Sequence, residues 1–140
     1  MSGAMLAVVD TGPLYATLDL DDDDHEVSAG TLRRPDIRLA IPTLVVAEVS
    51  YLAATRLGAE AEATFIAGLS DLDVDAPAPK DWTRIAQLIR KYASFPLGAT
   101  DASVVALAER LRTPYVITLD RRHFHAVRPA HCEALQLLPE

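Results

Sequence analysis

Residues 6–19 read LAVVDTGPLYATLD and residues 115–120 read YVITLD, two apolar runs that each end on a carboxylate, Asp10 and Asp120. Short runs of this kind, rich in Val and Ile, suit strands buried on both faces, as in parallel sheets. After Asp10, Gly12 suits a turn and Pro13 the first turn of a helix, so strand passes directly into helix. After Asp120, the sequence RRHF reads as a turn. Ligands bind beyond the carboxyl ends of parallel strands, which predicts one crevice shared by the two acids. Taken singly, either acid is equally well explained as a cap for the turn that follows it.

Outward from these runs, strands and helices alternate. Residues 25–34 read as a short helix and 37–41 as a strand ending at Pro42. Residues 42–58 have helical length with Gly58 as a stop, and 59–69 start a second helix, giving a helical hairpin. A third strand is expected within 72–77, helices at 80–92 and 100–112, the latter ended by Pro114, and a last strand at 134–138. Strands separated by helices imply parallel crossovers, hence an α/β chain folded as a three-layer α/β/α sandwich with a mainly parallel sheet. A chain of 140 residues, half of them apolar, suits a single domain over 5–140. Residues 1–4, MSGA, read as a cloning remnant or a disordered N-terminus.

Several classes are disfavoured. No apolar run approaches the roughly 20 residues needed to span a bilayer, and the N-terminus lacks the regions of a signal peptide, which predicts a soluble, cytoplasmic protein without a membrane partner. The single cysteine, Cys132, has no partner for an internal disulfide or a redox pair. The segment 123–132, HFHAVRPAHC, contains His123, His125, His131 and Cys132 at a spacing that fits no zinc motif. Trp82 and Tyr92 read as core or interface residues. The formal charge of −7 opposes nucleic-acid binding at first sight. Much of it lies in Asp21–Asp24, read as a solvated loop, and in four further acids; the remainder is near neutral, leaving Arg33, Arg34, Arg38, Arg110, Arg112, Arg121, Arg122 and Arg128 for basic patches.

The four further acids occupy awkward places. On a helix through 43–57, Glu48 has Leu44, Val45, Tyr51 and Leu52 as its neighbours three and four residues away, which predicts a carboxylate on an apolar face, where charge is costly unless paired or metal-bound. A helix edge where Glu48 reaches water is the alternative. Asp101 lies at the start of the helix 100–112, where Thr100 or Asp101 itself suits a cap. Together with Asp10 and Asp120 it completes a set of clustered carboxylates, tolerated chiefly around a cation. Oxygen donors without a convincing His or Cys set favour Mg²⁺, with Mn²⁺ as a substitute. Such a site suits metal-assisted hydrolysis of a phosphodiester.

Four segments carry a family resemblance: VVDTGPLYA (8–16), IPTLVVAEVSYL (41–52), LGATDASVVALAERL (97–111) and YVITLDRRHF (115–124). In this order and spacing the chain resembles PIN-domain ribonucleases, specifically the VapC toxins of type II toxin–antitoxin modules, from about Met5 onward. The resemblance implies a PIN-like sandwich and a Mg²⁺- or Mn²⁺-dependent endoribonuclease toxin. Asp10, Glu48, Asp101 and Asp120 would then be the catalytic metal-binding acids, Thr11 and Thr118 the supporting hydroxyls, and Arg121 and Arg122 candidates for contact with RNA. It also implies a homodimer and a neutralising VapB-type antitoxin in a hetero-oligomer, with residues 44–70 as the expected antitoxin contact. The rivals are weaker. DTG is also the triplet of aspartic proteases, but those are mostly β; a receiver domain lacks a fitting phosphoacceptor and lysine; a catalytically silent PIN scaffold would be expected to have lost an acid.

Overall fold

A computed structural model describes residues 4–140; the expectation for residues 1–4 falls, but for Ala4, outside the described residues. The first strand, β1 (Met5–Val9), leads through Asp10 into helix α1 (Thr11–Ala16), followed by α2 (His25–Leu32) and β2 (Ile37–Pro42). Next come α3 (Thr43–Arg56), α4 (Ala59–Gly68), a 3₁₀ turn at Leu69–Asp71 and the two-residue β3 (Val74–Asp75). The chain closes with α5 (Pro79–Lys91), α6 (Ala99–Leu111), β4 (Tyr115–Ile117), α7 (Arg121–Ala126) and β5 (Gln136–Leu138).

The strands form one sheet in the order β3-β2-β1-β4-β5, and every pairing is parallel. The sandwich with a mainly parallel sheet is therefore observed. Its order reverses at β1, which lies between β2 and β4, and a crevice opens at such a switch point beyond the strand ends. Register puts Val9 opposite Ile117, and the Asp10 N–H continues the ladder to the Ile117 carbonyl at 2.9 Å. The first acid thus leaves the sheet level with the end of β4.

The reason for the strands is visible in their burial. Ala7, Val8, Val9, Val116 and Ile117 are wholly buried, so an alternating pattern would have left polar groups inside. Helix α6 is also enclosed on nearly all sides: Ala102 through Ala108 are buried, packed against β1, β2, β4, α3 and α5. Its small residues allow close approach, and a charge at Val105 is expected to prevent folding. On α3 the buried stripe is Val45, Val49 and Ala53, one residue per turn. Between α3 and α4, Gly58 takes φ +100°, a conformation that costs other residues their Cβ clearance, and Ser50 donates to Glu62 to close the expected hairpin.

Three local expectations are corrected. Gly12 stands inside the first turn of α1, not in a turn before it. The third strand shrinks to the two residues that pair with Ile41 and Pro42. RRHF is not a turn but the opening of α7, because the Asp120 carboxylate accepts the His123 N–H at 3.2 Å and so caps a helix. Of the two residues read as core or interface, Trp82 is 52% exposed on α5, outside the core, whereas Tyr92 packs against the core and its hydroxyl accepts the Arg128 N–H at 2.8 Å. Among the described residues no helix is long and apolar enough to cross a membrane.

Candidate active site

A cleft of about 570 Å³ lies at the switch point, lined by Asp10, Thr11, Gly12, Glu48, Asp101, Leu119 and Asp120. The fold therefore brings all four acids singled out in the sequence to one place. Asp10 comes from the end of β1, Asp120 from the N-terminus of α7, Asp101 from the first turn of α6 and Glu48 from the second turn of α3. Asp101 is not the cap of its helix, which starts one residue after Gly98. Glu48 is exposed, so its expected place on the apolar face is corrected. The buried stripe runs beside it, and its neighbour Tyr51 is 67% exposed, which is why the apolar spacing misled.

Thr118 ties two of the acids together. Its hydroxyl donates to Asp10 Oδ2 at 2.8 Å and accepts the Asp120 N–H at 2.9 Å. The other oxygen of the first acid, Asp10 Oδ1, is buried with no hydrogen-bond partner, as is the Thr11 hydroxyl. A buried charged oxygen without a donor is strongly disfavoured. Burial raises the pKa of Asp10, helped by the charges of Asp120 and Glu48 and opposed by the nearby Thr11 N–H and the Thr118 hydroxyl. Asp101 is pushed up to about 7, first by burial, then by Asp10 and Asp120, with His123 opposing and Glu48 adding a further rise. The cleft holds more negative charge than it neutralises.

Sequence reasoning missed His123. Ligand atoms of Asp101, Asp120 and His123 lie within 4.8 Å of one another, while Asp10 and Glu48 line the same cleft outside that close group. The Nδ1 of His123 is 2.6 Å from Asp120 Oδ2. The signal available was the Asp-x-x-His spacing, which brings the two side chains together only if residues 121–126 are helical. Two others of that segment are engaged elsewhere: His131 Nε2 bonds the Thr113 carbonyl, and the Cys132 thiol, raised in pKa by burial, faces the Ala134 carbonyl.

The arginines are only partly available. Arg34 pairs with Asp36, Arg38 with Asp73 and Arg110 with Asp81, so the eight do not form one basic surface around the cleft. Next to Asp120, Arg121 donates to the Pro139 carbonyl at 2.7 Å, whereas the Arg122 guanidinium lies 5.1 Å from the centroid of the Phe95 ring. The Asp21–Asp24 run makes local bonds, with the Asp24 N–H donating to Asp22 Oδ1 at 2.8 Å, and takes no part in the cleft.

A parallel sheet of this order, with acids from four elements meeting at its switch point, defines an α/β domain with an acidic cleft. The chain belongs to the PIN-domain family, whose model matches residues 7–128. It is 35% identical over 124 residues to Ribonuclease VapC26 of Mycobacterium tuberculosis, covering 87% of this chain and 92% of that protein. In structure it is similar to Mycobacterium tuberculosis VapC20, a Sarcin-Ricin loop cleaving toxin, with TM-score 0.72 at 16% identity over 79% of this chain and 86% of the other. It is also similar to VapBC2 from Rickettsia felis, solved bound to a DNA fragment from its promoter, with TM-score 0.68 at 17% identity over 95% and 98%.

Proposed function

We propose that this protein is a VapC-type endoribonuclease that hydrolyses RNA phosphodiester bonds with a divalent cation held in the acidic cleft. The observation that carries it is Asp10 Oδ1: a buried, unpartnered carboxylate oxygen in a cleft lined by three further acids. Hard oxygen donors fit Mg²⁺, with Mn²⁺ as substitute. Asp10, Asp101 and Asp120 would hold the ion, with Glu48 at the open side of the cleft. Bound there, such an ion would supply Lewis acidity toward a phosphate oxygen and lower the pKa of a water.

The chain's own residues do the rest. Thr118 orients Asp10 through its hydroxyl and Asp120 through the backbone N–H it accepts. Thr11 leaves a buried hydroxyl without a partner at the same wall, suited to a phosphate oxygen or a water. Arg122, exposed two residues beyond Asp120, offers a phosphate contact that Arg121, held by Pro139, offers less freely. An activity of this kind, released in the cell that makes it, would arrest growth. A VapB-type antitoxin is the partner we propose, together with a homodimer, and the α3–α4 hairpin within 44–70 exposes Tyr51, Leu57 and Ile66 for such contacts.

The test is expression in bacterial cells without an antitoxin, beside Asp10→Asn, with RNA 5′ ends mapped. Growth arrest with new ends, both lost in the variant, is the expected result. Arrest that persists in Asp10→Asn without any new ends would favour a scaffold that acts by binding.

A further inference from the structure

Asp120 stands apart among the four acids, because one neighbour occupies both of its oxygens. The backbone N–H of His123 donates to Oδ1 at 3.2 Å, and the ring Nδ1 lies 2.6 Å from Oδ2. An ionised carboxylate only accepts, so Nδ1 carries the hydrogen and donates. That distance is short for two atoms binding one ion, since neighbouring ligands at bonds of about 2.1 Å sit about 3 Å apart on an octahedral ion. His123 Nδ1 therefore acts through Asp120.

The ring is held from behind. Phe95, in the loop between α5 and α6, meets His123 edge-on with centroids 5.0 Å apart and planes at 64°. Arg122 lies over the same Phe95 ring. This loop leads into the first turn of α6, which carries Asp101, so one contact joins the elements bearing the third and fourth acids. We propose that His123 is a positioning residue that fixes the carboxylate of Asp120 relative to Asp101, with Phe95 holding its ring in place. The inference rests on reading the cleft as a cation site.

The experiment is Mn²⁺ titration by calorimetry of the whole, chelator-treated chain, with thermal melts of the metal-free proteins as the folding control. In His123→Asn the amide nitrogen can take the place of Nδ1, whereas His123→Gln reaches the place of Nε2. We expect His123→Ala to weaken Mn²⁺ binding by about 10–100-fold, the usual cost of losing a group that orients a ligand. His123→Asn should retain most of the affinity, and His123→Gln should resemble the alanine variant. Phe95→Leu should weaken binding in the same direction by less. Unchanged affinity in His123→Ala, or equal losses in the Asn and Ala variants, overturns the positioning role; equal losses with affinity kept in His123→Gln would assign Nε2 as a ligand. If the alanine variant does not fold, the contrast between Asn and Gln decides. A folded wild-type chain that binds no Mn²⁺ overturns the cation reading itself, and this inference with it.

Discussion

Two carboxylate-rich regions of this molecule behave in opposite ways. On α5 and α6, Glu109 receives both ends of the Arg84 guanidinium at 2.7 and 2.8 Å as well as the Ala130 N–H, and Asp81 receives Arg110 and the Ala78 N–H. Burial alone would raise the pKa of Glu109, but Arg84 and the Ala130 N–H more than reverse it. In the cleft beyond the strand ends, Asp10 and Asp101 are raised, and Asp10 Oδ1 makes no well-formed hydrogen bond. Acids that hold a fold together come with their cations; acids that lack them mark a place for one from outside.

The largest effect that can break this contrast is on cleavage. Asp10→Asn should lower RNA cleavage by more than about 100-fold, the upper range for a group that only orients a metal ligand. Circular dichroism should show the fold intact. Glu109→Gln should do the reverse: full cleavage, with stability lower by about 1–3 kcal/mol because a charge-assisted bond is lost and Arg84 left half-buried. Urea melts measure the second effect, and a variant as stable as the parent would deny Glu109 its structural role.

Metal should separate the regions next. At an Mn²⁺ concentration of about 100 Kd the parent should gain about 2.7 kcal/mol of stability. Asp10→Asn should gain little, while Glu109→Gln should gain as much as the parent.

The pH dependence follows with its own sign. Asp101 is raised from 3.8 to about 7 on folding, so between these values the folded metal-free chain holds a proton that the unfolded chain has lost. Its contribution is fully present at low pH and disappears as pH rises through about 7; Asp10 acts in the same direction. Asp101→Asn should flatten that decline in a series of thermal melts. The smallest effect is expected at the arginines that follow Asp120. Arg122→Ala should lessen the salt dependence of RNA binding by about one unit of slope, and Arg121→Ala by less because Pro139 already engages it.

The sequence carried the parts of this molecule that have a strong local cause. Asp10 and Asp120 were legible because apolar runs end at them, and a shared crevice followed from parallel strands; the strand order that reverses at β1 depends on long-range pairing and was not readable. The position of Glu48 misled because Leu44 and Tyr51 look like core residues, yet the buried stripe of α3 is Val45, Val49 and Ala53. Six-residue α7 has too few turns to show a period, so neither the helix nor the closeness of His123 to Asp120 was readable. That pairing exists only once Asp120 has capped the helix.

The most direct measurement is incubation of total cellular RNA with the purified chain and with Asp10→Asn, in Mg²⁺, in Mn²⁺ and in EDTA. Fragments that need the metal and disappear in the variant are the predicted result. Equal cleavage in EDTA, or cleavage undiminished in Asp10→Asn, would contradict the claim that the unpaired acids of the cleft hold the cation that cuts RNA.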